Sequence, residues 1–354
     1  MADAFLKMPG TLDAAEKFGK AVLEIAGDLG SSAHPTILRL GDTSLSLKFK
    51  SPTLSSRFGP ALAHLASGDL APTFHATVWE PVQADKPLPP FPWPRDIYRG
   101  CGEMPGYSEG RIYIHFDVPM RALTVVDIAA GHACYVNRAP GALPEYECAG
   151  PLRWLFHSIA VNRGGALVHA GAVAHGESAA LITGPRGAGK STTVLSCVAA
   201  GLSYLGDDRC LVQNDSSPQV FSVYSSAKVL ASEIDRFPIP GLQNAAFQIQ
   251  SPAEPKIVVQ VDRIAPHRMA RRANIACVIC PVVTGAERSR LLRIPTAEAV
   301  RLLLAEIVGH SPVTAGRSLS NLIEICRQRP AYRLEAGTNL REVADVVART
   351  IEQA

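Results

Sequence analysis

The chain has 354 residues, enough at roughly 150 residues per domain for two domains or for one domain with a large extension. Hydrophobic residues make up 47% and charged ones 19%, which excludes a disordered chain, and no apolar run reaches the ~18 residues of a membrane span. The net charge of +3 is too small to argue for a nucleic-acid partner, yet it is unevenly spread: residues 1–150 carry 13 Lys/Arg against 16 Asp/Glu, and residues 151–354 carry 22 against 16.

The start, Met1-Ala-Asp-Ala-Phe-Leu-Lys7, has no basic segment followed by an apolar one, so secretion is not expected and a cytoplasmic protein is. A helix is predicted over Leu12–Gly27, where Phe18, Val22, Ile25 and Ala26 share a stripe. A hairpin follows, with Ile37–Leu40, a Gly41-Asp42 turn, and Leu45, Leu47 and Phe49 alternating with polar residues. Arg57–Ala66 reads as helix and Phe74–Trp79 as strand. Six prolines between Glu80 and Pro94 mark a surface loop or extended connector. Strands are expected at Ile112–Phe116, Leu123–Ile128 and Ala133–Val136, and a loop over Arg138–Glu145. This first part, residues 1–150, reads as an α+β domain without recognisable chemistry.

From about residue 151 the pattern changes to alternating strands and helices. A helix over Pro151–Asn162 precedes strands at Ala166–His169 and Ala179–Thr183, a helix from Gly189 to Ala200 and a strand at Leu202–Leu205. Extended segments follow at Phe221–Tyr224, Ile257–Val261 and Ile275–Val283, then helices at Ala297–Val308 and Leu340–Ile351, the last capped by Thr338-Asn339. Residues 151–354 therefore read as an α/β domain with a twisted central sheet. Eight cysteines are scattered through the chain. The one close pair, Cys277 and Cys280, lies in an apolar strand where i and i+3 point to opposite faces, so buried reduced thiols are expected rather than a zinc half-site.

Gly184-Pro-Arg-Gly-Ala-Gly-Lys190-Ser191 fits G-x-x-x-x-G-K-[ST], entered by an apolar strand and followed by a helix. Glycines let successive backbone N–H groups turn inward around a phosphate, and the new helix adds its unpaired amides and positive dipole end. Lys190 can then reach the β- and γ-phosphates and Ser191 can ligate Mg²⁺, with Thr192 and Thr193 as further hydroxyls. Gly206-Asp207-Asp208 ends the next strand, which one crossover returns to the edge beside this loop. One carboxylate there suits Mg²⁺ and an adjacent one suits a base for an attacking hydroxyl. His169 closes the strand fifteen residues before Gly184. By itself a lone histidine beside an apolar segment reads as structural.

Leu167-Val-His-Ala-Gly-Ala-Val-Ala, Leu181-Ile-Thr-Gly-Pro-Arg-Gly-Ala-Gly-Lys-Ser and Ala200-Gly-Leu-Ser-Tyr-Leu-Gly-Asp-Asp together resemble the catalytic core of the HPr kinase/phosphorylase family. They resemble more closely that family's kinase-like relatives. The resemblance spans roughly residues 150–350, with Asp262-Arg263-Ile-Ala-Pro266 and Pro330-Ala-Tyr-Arg-Leu-Glu-Ala-Gly-Thr-Asn-Leu as weaker elements. It implies a PEP-carboxykinase-like nucleotide-binding core with a central mixed sheet, behind the α+β N-terminal domain. It implies ATP phosphates on Gly184, Pro185, Arg186, Gly187, Ala188, Gly189, Lys190 and Ser191, and Mg²⁺ on Ser191 and Asp208. Asp207 would be the base for an acceptor serine hydroxyl, with His169 orienting or buffering it. The Arg-Gly-rich signature tied to phosphorylase activity has no counterpart, Val223-Tyr-Ser-Ser-Ala-Lys228 standing in that region, which argues against the reverse reaction and against HPr as substrate.

Lys228 and the run Arg263, His267, Arg268, Arg271, Arg272 are candidates for a cation on the transferring phosphoryl group, although a solvated basic face explains the run as well. The run lacks the interleaved aromatics of a nucleic-acid surface. The expected function is an ATP- and Mg²⁺-dependent kinase of a protein or peptide hydroxyl. Alternatives are a regulatory ATPase, a nucleotide-binding module without catalysis, and a small-metabolite kinase. Family members assemble as oligomers, so a homo-oligomer is an expectation that rests on the resemblance alone.

Overall fold

The computed structural model describes residues 11–29, 34–68, 70–94, 97, 104, 111–141, 143–243, 246–249, 255–304 and 312–354. Cys101, the first ten residues and the 305–308 end of the helix expected over Ala297–Val308 lie outside the described residues. The chain divides into two compact units. One comprises Met1–Gly59, Ala66–Arg163 and Gly309–Gly316; the other comprises Pro60–Leu65, Gly164–Val308 and Arg317–Ala354. The division thus falls at Arg163/Gly164, thirteen residues beyond the composition change, because the buried face of the helix after it packs within the first unit.

In the first unit, β1 (Thr36–Leu40), β2 (Thr43–Phe49), β3 (Phe74–Trp79), β4 (Ile112–Asp117), β5 (Ala122–Asp127) and β6 (His132–Asn137) form a mixed sheet in the order β1-β2-β3-β6-β5-β4. The β2–β3 and β3–β6 pairs are parallel and the rest antiparallel. The helix α1 (Thr11–Asp28) buries Ala15, Phe18, Val22 and Ala26, a 3.6-residue stripe, against Ile112, Ile114, Leu123 and Val125. The proline-rich segment is not a free connector. Phe91 and Trp93 stack on each other with ring centroids 4.7 Å apart, and Trp93 meets Phe18 edge-on at 5.0 Å. Extended proline-rich backbone costs little further entropy to dock, and two aromatic rings repay it. The expected helix over Arg57–Ala66 is instead α2 (Pro52–Leu62), started by proline at its first position and followed by a 3₁₀ turn at Ala63–Leu65, with residues from Pro60 to Leu65 counted in the second unit. A short helix, α3 (Glu145–Ala149), and then α4 (Arg153–Asn162) complete the unit.

The second unit centres on a nine-stranded mixed sheet. Its members are β7 (Ala166–Val168), β8 (Gly171–His175), β9 (Ser178–Ile182), β10 (Ser203–Gly206), β11 (Cys210–Asn214), β12 (Pro218–Ser222) and three strands from later in the chain. A separate antiparallel sheet joins β13 (Ser226–Leu230), β14 (Ala246–Ile249) and β15 (Lys256–Gln260) in the order β13-β15-β14. The long β16 (Arg272–Val283) runs down the middle of the large sheet, parallel to β9 on one side. On the other side its start pairs with β12 and its end with β18 (Ala331–Ala336), which in turn pairs with β17 (Arg290–Arg293).

Helices cover both faces of this sheet. The helix α5 (Lys190–Ala200) and the terminal α9 (Leu340–Gln353) pack on one face, over Ile182, Cys277, Ile279 and Leu334. The helices α7 (Thr296–Leu304) and α8 (Pro312–Gln328) cover the other, over Leu181, Val278 and Cys280. Cys277 and Cys280 therefore belong to opposite cores, and burial pushes each thiol up to about 12. Asn339 caps α9 as its sequence position indicates, its Oδ1 accepting from the Arg341 and Glu342 backbone N–H groups at 3.1 and 3.2 Å. Among the described residues no helix is long and apolar enough to cross a membrane.

Candidate functional site

The strand β9 ends at Ile182, and the chain crosses Thr183 into the Gly184–Gly189 loop before α5 begins at Lys190. Gly184, Gly187 and Gly189 take φ of 140°, 85° and 99°, values that side-chain-bearing residues avoid, and the Ala188 N–H donates to the Pro185 carbonyl at 3.1 Å. Pro185, Arg186 and Gly187 are exposed at the loop's tip, while Ser191 and Thr192 are half-buried. The first turn of α5 closes with Thr193 N–H donating to Gly189 O at 2.9 Å. Lys190 is buried, and its ammonium folds back over the loop to the carbonyls of Gly184 and Pro185. That places a positive charge inside the concave side of a helix N-terminus.

The carboxylate pair arrives at the same sheet edge. Gly171 pairs with Ile182 and Ala172 with Gly206, so the ends of β9 and β10 flank the start of β8. The connection His169-Ala170 runs beside the connection Asp207–Arg209, with the Cys210 thiol donating to the Ala170 carbonyl at 3.3 Å. His169, which the resemblance set beside Asp207, instead places Nε2 3.2 Å from Asp208 Oδ1. Asp208 Oδ2 accepts from the Lys228 ammonium at 2.9 Å. Burial works against its charge, but Lys228, Arg209 and His169 hold the Asp208 carboxyl well below the usual carboxylate range.

Asp207 sits in different surroundings. It is 2% exposed; its Oδ2 accepts from the Lys228 backbone N–H at 2.8 Å, and its Oδ1 has no hydrogen-bond partner. Burial raises its pKa above the ordinary value, opposed by the Lys228 N–H and by the Ser191 hydroxyl. The Ser191 hydroxyl and the Asp207 carboxyl are thus neighbours. An orphaned buried carboxylate oxygen beside the Ser191 hydroxyl is a donor set that fits Mg²⁺, an ion that prefers a few protein oxygens with phosphates supplying others. Among the described residues no three His, Cys, Asp or Glu side chains converge as a ready-made metal cage.

Lys228 is the one member of the basic group that reaches this edge, and it does so through both its main chain and its side chain. Its strand β13 is fixed there by the Tyr204 hydroxyl, which donates to the Ser226 carbonyl at 2.7 Å from within the core. Sequence reasoning missed this double grip because Lys228 lies 21 and 20 residues from the two aspartates, in another sheet. The other cations lie elsewhere. Arg268 donates to the Gly201 carbonyl at the far end of the 11-residue α5, about 16 Å along the helix from the loop. Arg271 and Arg272 stand at the start of β16, and Arg272 is seven residues, about 23 Å, before the Ile279 that pairs beside the loop. Arg263 and His267 are exposed in and after the short α6 (Val261–Ile264).

No protein-family model matches the chain, and no curated protein matches it. Among solved structures it is similar to the Hpr(Ser) kinase/phosphatase from Coxiella burnetii, at 13% identity and a TM-score of 0.28, over 53% of this chain and 96% of that one. A likeness of that size identifies neither a family nor an activity.

Proposed function

We propose that the second unit is a nucleotide-dependent phosphotransferase with a PEP-carboxykinase-like core, transferring the γ-phosphate of ATP to the hydroxyl of a serine-type acceptor on a protein or peptide. The observation that carries the reading is the convergence, at one sheet edge, of the Gly184–Ser191 loop with a paired carboxylate and Lys228. A site that only binds nucleotide needs the loop and one carboxylate; the second carboxylate and its attached His169 and Lys228 have work to do only if a proton and a charged phosphoryl group must be handled.

In this reading the loop amides and Lys190 hold the β- and γ-phosphates, and Ser191 with one aspartate holds Mg²⁺, which supplies charge neutralisation on the phosphate oxygens. Lys228 adds a second fixed cation at the carboxylates. The acceptor oxygen attacks the γ-phosphorus in line, the bond to the bridging oxygen of ADP breaks, and the hydroxyl proton passes to the carboxylate–histidine group. The chemistry belongs to the cytoplasm, where ATP is supplied. Assembly into a homo-oligomer is a further part of this proposal and rests on the family resemblance.

Incubation of the full chain with γ-labelled ATP, Mg²⁺ and a pool of serine-containing proteins and peptides tests the reading. Label on an acceptor, lost in Lys190→Met, is expected. Label released only as inorganic phosphate would make the protein an ATPase; label transferred to a free metabolite would make it a small-molecule kinase; and ATP bound but unchanged would make it a binding module.

A further inference from the structure

Two adjacent carboxylates face this site, and their surroundings are unequal. Asp208 has both oxygens engaged, Oδ1 near His169 Nε2 at 3.2 Å and Oδ2 with the Lys228 ammonium at 2.9 Å. A divalent cation on Asp208 would have to displace an ammonium or stand beside it, against like-charge repulsion in a partly buried place. Asp207 has one buried oxygen with no partner, and it is this carboxyl that the Ser191 hydroxyl faces. A carboxylate oxygen that is buried and unpaired is unfavourable, and a bound cation would relieve it.

From this geometry we infer that Asp207, together with Ser191, is the cation-holding carboxylate of the site, and that Asp208 is a positioning residue that clamps His169 and Lys228 without touching the metal. This reverses the assignment that the sequence resemblance implies, and it rests on the phosphotransferase reading for the presence of nucleotide. The contacts of each carboxyl support the division. Asp207 meets the Lys228 main chain and the Ser191 hydroxyl, whereas Asp208 meets the Lys228 ammonium and His169 in the β7–β8 connection.

Mn²⁺ bound with a non-hydrolysable ATP analogue, titrated by electron paramagnetic resonance on the full chain, reads this directly. Asp207→Asn is expected to weaken Mn²⁺ binding by about tenfold or more, and Ser191→Ala by a smaller factor, while Asp208→Asn stays within about threefold of wild type and loses phosphoryl transfer. Asp207→Glu, which keeps a carboxylate, is expected to recover part of the Mn²⁺ affinity. Metal-free analogue binding and circular dichroism check that each variant is folded. Loss of Mn²⁺ in Asp208→Asn with retention in Asp207→Asn overturns the assignment. Normal Mn²⁺ and nucleotide binding with no acceptor labelled by any means overturns the kinase reading and leaves the assignment standing. A wild-type chain that binds nucleotide without Mn²⁺ overturns the assignment.

Discussion

Gly171 shows how little room surrounds the carboxylates. A Cβ there would stand 2.5 Å from Val194 Cγ2 and 3.3 Å from the Gly206 carbonyl, so β8 starts pressed between the first turns of α5 and the chain entering Asp207. Gly171→Ala is expected to lower stability by about 1–3 kcal/mol through overpacking, read as a lower urea midpoint. An unchanged midpoint would mean that Val194 yields freely and that the packing does not hold the Asp207 backbone in place. At this scale the turn geometry of the Gly184–Ser191 loop was legible in the sequence, because its glycines, Lys190 and Ser191 act through neighbours along the chain. The roles within the aspartate pair were not. They depend on Lys228, which reaches Asp207 with its main chain and Asp208 with its side chain from a strand that no local pattern ties to them.

Among the elements, α5 carries the functional argument at one end and a structural one at the other. Its start follows the Gly184–Gly189 loop; its finish is Gly201 at φ 111°, with Leu202 N–H donating to Cys197 O at 2.9 Å and Arg268 donating to the Gly201 carbonyl. Arg268→Ala is expected to cost about 1 kcal/mol of stability by uncapping that end, with nucleotide affinity unchanged. A fall in nucleotide affinity without a fall in stability would return Arg268 to the phosphate end. The strands on either side divide by how local their signal is. The alternation of Leu45, Leu47 and Phe49 made the β1–β2 hairpin legible, and β3 was read as a strand as well. β8, β11, β13, β14, β17 and β18 were not, being short and apolar or dependent on partners far along the chain, such as β16 for β18. The twelve residues of β16 exceed the expected strand because its start has a second partner, β12, on an edge that β18 occupies only later.

Across the whole molecule each unit buries a neutral histidine. In the first, His157 is 1% exposed beside Trp154, with both ring nitrogens lacking hydrogen-bond partners, and burial lowers its pKa to about 4. In the second, His64 meets Ser222 Oγ at 2.8 Å, and burial followed by Arg271 lowers its pKa to about 4. Both values lie below the 6.5 of an unfolded histidine. Above pH 6.5 neither residue penalises the fold. As pH falls from 6.5 to 4 the unfolded chain takes up protons that the folded chain refuses, and each histidine withdraws roughly 3 kcal/mol of stability. Urea titrations at steps from pH 7 to pH 4.5 are expected to show this loss, with a shallower slope in His157→Gln. A slope identical to wild type in that variant would mean that His157 is protonated in the folded chain.

What the sequence determined by itself was the glycine-rich loop Gly184–Ser191, the arrival of an acidic pair one crossover later, the helical stripe of α1 and the cap of α9. All are short-range: a turn, a period of 3.6 residues, or a hydrogen bond to the second or third residue onward. The tertiary structure decided which carboxylate faces Ser191, that His169 contacts Asp208 rather than Asp207, and which of six basic residues reaches the pair. Those are questions of where side chains from distant strands converge, and side-chain direction at a sheet edge is set by register and packing rather than by residue type.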